Sequence, residues 1–351
     1  MSKKRVLIFV QNAVGGAERI SALIGNQLMA EGNSVVFCLV GQHNGKSILD
    51  FIDKSAETTT ISNESFISQM WGMYKAILHV KPDVVFSSVI NINDKVLLLK
   101  HLFRGKKFII RCDTNVTAYS DKQRNLVSMI YPLADCVIAQ TEEMKDGLVN
   151  ITKLDSNKVI VLHNPVDKKN ISRLVSEGSP YHSEKKHVVA VGRFDPAKGY
   201  ELLIDSFVDL SKRRDDIELF IVGDYKPDDS IYKYIMREAS NNGIEDRVQC
   251  VGYQPNPYKY LVNADCFVLS SRWEGLPNVL IESLYLGTPA AAVKCVPVVQ
   301  RIVNDGINGY LVDKGDAIGL SKAIEKAITL GRVKSNYHPS EIGDFIALFN
   351  E

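Results

Sequence analysis

Two glutamates, Glu274 and Glu282, are separated by seven residues in the run Ser271–Gly287, SRWEGLPNVLIESLYLG. A strand-like segment, DCFVLS, precedes them, and a helical pattern starts near Asn278. A helix starting there presents unpaired backbone N–H groups and the positive end of its dipole, which suits a phosphate. Gly275, before Leu276 and Pro277, lacks a Cβ and lets a ligand approach the backbone closely. Glu274 lies just outside the helix and Glu282 about one turn inside it. One carboxylate can then meet a sugar and the other a ribose, with phosphate between them. The alternative is an ordinary capped helix with two surface glutamates. Arg193 and Lys198 both follow another strand-like run, HVVAVG. Two cations there can offset the charge that grows on a departing nucleotide. The alternative for each is a solvated surface cation.

These residues must be positioned by the elements around them. Val6–Val10 is a short, wholly apolar run, as in a strand covered on both faces. The loop NAVGGAE follows with Gly15 and Gly16, and then Ile20, Leu23, Ile24 and Leu28 recur at helical spacing. Further strands are expected at Val35–Val40, VVFSS, Phe108–Ile110 and Cys136–Ala139. The segment 163–186 breaks the pattern with the turn chemistry of HNPVD and the polar SEGSPYHSEKK. The second half restarts it. HVVAVG, IELFIVG (ending at Gly223), RVQCVG, DCFVLS and PAAAV are expected strands. Glu201–Leu210, Ile231–Asn241, Asn278–Leu286 and Asp316–Leu330 are expected helices. The fold class is therefore α/β, with two doubly wound Rossmann-like domains. Residues 1–168 are the first domain, 169–186 a linker and 187–335 the second domain. Residues 336–351 form a C-terminal helix packing back toward the first. Ligands in such sheets sit at the carboxyl ends of the strands, so a cleft shared by two facing domains is the expected site.

Bulk properties narrow the classes. The chain has 351 residues, 45% hydrophobic and 24% charged, with a net charge of +1. That balance is ordinary for a globular protein and gives no global attraction to nucleic acid, which is not an expected partner. The six cysteines are scattered without a CxxC pair, which suits buried reduced thiols and a reducing compartment. The apolar run VLIFV is too short for a signal-peptide core, and no stretch approaches the ~20 apolar residues of a membrane span. The expected location is the cytoplasm, or the inner face of the cytoplasmic membrane. The seven histidines show no metal-ligand spacing, DXD is absent and Asp228-Asp229 reads as a loop. No metal or other cofactor is expected. GGAE is no GxGxxG fingerprint, so a nicotinamide is not favoured.

The setting EGLPNVLIES resembles the signature of family 4 retaining glycosyltransferases, which have the GT-B fold. The resemblance covers nearly the whole chain, because GGAE, HNPVD, VGRFDPAKG, VGD and NDGINGYLV occur in the family's order. It implies that Arg193 and Lys198 grip the diphosphate of a nucleotide-sugar donor. It implies that Glu282 holds the ribose hydroxyls and Glu274 contacts the transferred sugar. Asn278, Val279 and Leu280 would cradle phosphate, while Gly15, Gly16, Gly223, Gly275, Leu276 and Pro277 line the donor site. Many relatives carry a histidine after the fourth strand. Here FIIRCDTN places Asp113 there, either to align an acceptor hydroxyl or as a strand-end cap. The loop AAAVKCVPVVQ departs from the usual glycine-rich form, and Lys294 is a further candidate phosphate contact. The implied reaction is retaining transfer of a hexose or N-acetylhexosamine, with UDP the first choice of nucleotide. The implied acceptor is a glycan or a polyprenyl-diphosphate-linked oligosaccharide of a bacterial surface polysaccharide, such as an O-antigen unit. A nucleotide-sugar epimerase of the same fold, a nicotinamide dehydrogenase and a non-catalytic nucleotide-binding scaffold are the rival readings. The segment KVLLLKHLFRGKK, residues 95–107, is basic and apolar. It is either a membrane-surface helix or an ordinary helix with a solvated basic end.

Overall fold

The structure is a computed structural model that describes residues 3–42, 47–62, 65–116, 119–182 and 184–350. The chain divides into two compact units, residues 1–166 with 339–351, and residues 167–338.

The first unit is built on a parallel sheet. Among the described residues its strands are β1 (Arg5–Gln11), β2 (Ser34–Val40), β3 (Glu57–Ile61), β4 (Val84–Ser87), β5 (Lys107–Arg111), β6 (Cys136–Ala139) and β7 (Val159–Val161). Their order is β3-β2-β1-β4-β5-β6-β7. β1 lies centrally, with Val6 opposite both Val35 and Val84. Its side chains alternate between two cores, Val6, Ile8 and Val10 on one face and Leu7 and Phe9 on the other. Burial on both faces is why the run is apolar throughout. The helix Ile342–Asn350 belongs to this unit. It buries Phe345, Ile346, Leu348 and Phe349 beside the helix Gly16–Ala30, and Phe349 meets Phe86 edge-on at 5.4 Å. Lys107 donates to the Leu348 carbonyl at 2.8 Å, and the His163 amide donates to Ser340 Oγ at 2.9 Å.

The second unit holds β8 (Lys186–Val191), β9 (Ile217–Val222), β10 (Val248–Gly252), β11 (Cys266–Leu269), β12 (Ala290–Val293) and β13 (Gly309–Val312). Their order is β10-β9-β8-β11-β12-β13, all parallel. The chain runs outward from β8 to β10, then returns to place β11 on the other side of β8. Such a reversal opens a crevice at the carboxyl ends of β8 and β11. The six cysteines are free, and five are buried. Burial alone pushes the Cys38 and Cys250 thiols up to about 12, so they are inert.

Two expectations need correction. The expected linker 169–186 is not an irregular connection between the units. A helix, Lys168–Leu174, fills its first part, with the Asp167 side chain accepting from the Asn170 amide at 3.1 Å. The division falls between Val166 and Asp167. The polar run that follows holds a 3-10 turn, Val175–Glu177, and then chain outside helix and strand over 178–182, all inside the second unit. The segment 95–107 is not one amphipathic helix either. The helix Ile90–Leu99 ends inside it, a short 3-10 turn follows, and β5 starts at Lys107. Leu97 and Leu99 are in the core, whereas Leu98 and Leu102 are exposed.

Candidate functional site

The crevice of the second unit is closed by the two loops that leave β8 and β11. Asp195 caps the turn Pro196–Lys198 by accepting from the Ala197 amide at 2.9 Å. Gly199 follows at φ +60°, and a Cβ there would stand 2.4 Å from the Ser270 carbonyl oxygen. Only glycine fits both demands. The loops then lock together. The Arg272 amide donates to Ala197 O at 2.7 Å, and Ser270 Oγ donates to Lys198 O at 2.8 Å. Lys198 Nζ lies 2.7 Å from Glu274 Oε1, which also accepts from Ser271 Oγ at 2.7 Å. The chain positions of Lys198 and Glu274 are far apart, and the sheet order brings them into one charge-assisted contact.

The helix Asn278–Tyr285 starts beside this pair with Pro277 at its N-cap and no side chain bonded across its first turn. Asp, Ser or Thr side chains cap other described helices, for example Asp229 and Thr141. No side chain occupies that start, although the Asn278 amide donates to Leu276 O at 2.9 Å and the Leu280 amide to Pro277 O at 3.1 Å, so what the start offers an anion is chiefly the positive end of the helix dipole. Gly275 is partly exposed in the loop before it, and Leu276 and Pro277 are buried under it. Val279 is partly exposed, and Leu280 is in the core. Glu282 lies on the helix's partly exposed side and accepts from Tyr258 OH at 3.2 Å. Tyr258 itself is buried. Arg193 is exposed at the end of β8 and makes no ion pair or hydrogen bond among the described residues. Cys295, after β12, is pushed up to about 12 by burial, with the nearby charge of Glu274 adding to it.

Two sequence-predicted residues take other tasks. Gly223 packs against backbone: its added Cβ would stand 1.7 Å from the Gly192 carbonyl oxygen. That close approach accounts for the glycine without a ligand. Lys294 pairs with Asp313 at 2.8 Å, across β12 and β13, instead of pointing at the uncapped helix.

In the first unit, Gly15 caps the helix Gly16–Ala30 in extended conformation. A Cβ at Gly15 would stand 2.3 Å from Glu18 Oε2, so the glycine makes room for this buried carboxylate. Asp113 follows β5 in a largely buried setting, and its Oδ1 has no hydrogen-bond partner. Burial raises its pKa, against the pull of Arg111. Arg111 is the largest fully buried side chain, and burial lowers its pKa to about 10, opposed by Asp113, Cys112 and Glu18. It donates to Asn164, Asn164 donates to Gln140 at 3.0 Å, and Gln140 donates to Cys112 O at 2.7 Å. That chain of contacts fixes the carboxyl end of β5 and thereby Asp113. Asn164 belongs to HNPVD, so the motif carried a signal that turn chemistry alone did not interpret. Gln140, Tyr258 and Ser271 carried no such signal.

Among the described residues, no group of three or more His, Cys, Asp or Glu side chains is placed to hold a metal ion. No described helix is long and apolar enough to cross a membrane.

Two Rossmann-like units, one with Arg193 and Lys198 beside the crevice at its switch point, define a class of doubly wound α/β proteins that bind ligands at the carboxyl ends of their strands. Family models agree. Residues 14–170 match the Glycosyltransferase Family 4 model, and residues 171–341 match Glycosyl transferases group 1. The chain belongs to this family of glycosyltransferases, and its fold is GT-B. It is 27% identical over 73% of its length to an uncharacterized glycosyltransferase, MJ1059, of Methanocaldococcus jannaschii. It is 25% identical over 69% to an N-acetylgalactosaminyltransferase of Campylobacter jejuni whose name specifies a diphospho-undecaprenol substrate. The matches span just under two thirds of those relatives, 66% of each. The amylovoran biosynthesis glycosyltransferase AmsD of Erwinia amylovora is 24% identical over 96% of this chain and 93% of its own. Among solved structures, Anabaena HepE in complex with UDP and glucose superposes with a TM-score of 0.75 at 17% identity, over 93% of this chain and 92% of that one.

Proposed function

We propose that this chain transfers a hexose or N-acetylhexosamine, with retention, from a nucleoside diphosphate sugar to a hydroxyl of a glycan or a polyprenyl-diphosphate-linked oligosaccharide. UDP is the first choice of nucleotide, and a bacterial surface polysaccharide is the product in view. The observation that carries this reading is the Lys198–Glu274 pair, formed beside an uncapped helix that bears Glu282. The names of the relatives support it, since they act in lipopolysaccharide and exopolysaccharide synthesis.

In this reading Arg193, Lys198, the Val279 amide and the positive end of the helix that starts at Asn278 take the charge of the diphosphate. Glu282, held by Tyr258, receives the ribose hydroxyls, and Glu274 meets the transferred sugar. The anomeric carbon loses its bond to the diphosphate oxygen and gains one to the acceptor oxygen on the same face. The departing oxygen takes the acceptor's proton, so no enzyme nucleophile is needed. The protein supplies position and charge stabilisation. Asp113 is assigned to the acceptor hydroxyl, and no metal is assigned to the reaction.

The test is nucleotide release from UDP-glucose, UDP-galactose, UDP-N-acetylglucosamine and UDP-N-acetylgalactosamine, with matched GDP and ADP sugars, at slow turnover with water as acceptor. Release from one donor, unchanged by EDTA and lost in Glu274→Gln, is expected. Release from none of them overturns the reading. Conversion of the donor to another sugar without release replaces it with the epimerase. The anomeric proton coupling of the glycosyl product reads the stereochemistry.

A further inference from the structure

The helix Phe66–Val80 carries two apolar stripes. Its inner stripe, Met73, Ile77 and Val80, is buried in the core beneath the sheet. Its outer stripe, Ile67, Trp71, Tyr74 and Leu78, recurs at i, i+4, i+7 and i+11, the spacing of a second helix face. Ile67 is 80% exposed, Trp71 57% and Leu78 53%. Docking on a sheet needs one apolar face; Tyr74 packs partly against the core, whereas Ile67, Trp71 and Leu78 lie outside it.

The patch extends to the neighbouring segment. Trp71 stacks on Tyr74 at 5.4 Å, and Tyr74 meets Phe103 at 5.5 Å. Lys95 Nζ lies 5.7 Å from the Phe66 ring, and Lys75 Nζ lies 5.0 Å from the Trp71 ring. Leu98 and the 66% exposed Leu102 continue the apolar surface. The charge around it is mostly positive, with Glu57 the acid on the groove side. Across 66–81 and 90–107 there is a single acid, Asp94, against Lys75, Lys81, Lys95, Lys100, Arg104, Lys106 and Lys107. Lys100 is tied to Asp135, Lys107 to the Leu348 carbonyl and Lys95 to the Asn91 carbonyl, which leaves Lys75, Lys81, Arg104 and Lys106. A groove of about 570 Å³ beside the stripe is lined by Glu57, Thr58, Thr60, Ser68, Lys75 and His79, polar partners among which Glu57 is the one acid. Exposed aromatic rings ringed by cations, with hydroxyls alongside, match the chemistry of an anionic lipid surface.

We infer that the outer stripe of the Phe66–Val80 helix, with Leu98, Leu102 and the surrounding lysines and arginine, seats on an anionic bilayer, Trp71 and Tyr74 at headgroup level. The anchor is therefore the 66–80 helix rather than a helix over 95–107. This inference stands without the proposed reaction.

The test is flotation of the full chain with vesicles of phosphatidylcholine alone or mixed with phosphatidylglycerol. Flotation with the anionic vesicles only, weakened by salt, is expected. Ile67→Glu/Trp71→Glu should lower the bound fraction at least about tenfold while far-UV circular dichroism is unchanged, because both sites are exposed. Lys75→Gln and Arg104→Gln should each lower it about fivefold. Failure of the wild type to float with anionic vesicles overturns the inference, as does undiminished flotation of the double variant. A dimer in sedimentation equilibrium that Ile67→Glu/Trp71→Glu dissociates also overturns it, because a second copy then covers the stripe.

Discussion

Lys198 Nζ lies 2.7 Å from Glu274 Oε1, joining the loop after β8 to the loop after β11. Their side chains are only 27% and 14% exposed, so this is not a solvated surface pair, but Ser271 Oγ still donates to Glu274 once Lys198 is gone, which limits the cost to about 1–2 kcal/mol. Lys198→Ala is therefore expected to shift Tm by only a few degrees. Turnover should fall about 10²–10³-fold, the loss typical of removing one charge-stabilising group from a reaction centre. Parallel kcat and Tm measurements check this, and a large loss of Tm with little loss of kcat would assign the pair to stability alone.

Glu282 should matter for nucleotide affinity more than for turnover. Glu282→Ala is expected to weaken UDP binding about 10–100-fold, the equivalent of hydrogen bonds to a charged group. Tyr258→Phe removes one positioning bond and should cost a few-fold at most. Isothermal titration of UDP into both variants tests the order, and a larger effect for Tyr258→Phe contradicts it.

Asp113 should couple stability to pH. Burial raises its folded-state pKa above the unfolded value of about 3.9, so the folded protein binds this proton more tightly than the unfolded chain does. Its contribution is fully present below the unfolded pKa and is lost as pH rises through the folded one. Asp113→Asn should thus stabilise the protein more at pH ~8 than at pH ~4. Urea denaturation at both values measures the difference, and equal effects would show that burial does not govern this carboxyl.

Gly223 should act through packing. Gly223→Ala places a Cβ 1.7 Å from the Gly192 carbonyl oxygen, a backbone atom that cannot swing away. A loss of about 1–3 kcal/mol or more is expected. Denaturant unfolding reads the stability, and a fully stable variant with impaired UDP binding would return Gly223 to ligand contact.

Much of the fold was legible because burial on two faces leaves a plain mark. β11 and β12 are unbroken apolar runs, β1 is apolar from Val6 to Val10 and β9 is interrupted by Glu218 alone, and all four are buried along nearly their whole length. β3 carried no such mark. It is an edge strand, ETTTI, with four of its five residues exposed, so nothing demanded an apolar sequence. β7, with three residues, was too short to show a period. Tyr258 and Gln140 escaped notice because a buried hydrogen bond depends on what lies across the core, which local pattern does not encode.

By itself, then, the sequence determined the alternation of strands and helices and the local chemistry of the Glu274–Glu282 run, since both depend on neighbours along the chain. Only the tertiary structure decided that Lys198 meets Glu274, that Lys294 turns to Asp313, and that Arg111 holds the end of β5 through Asn164. Those contacts arise from the order of strands in each sheet. β8 lies beside β11 because the chain reverses direction across the sheet, a choice made by the packing of whole helices and strands.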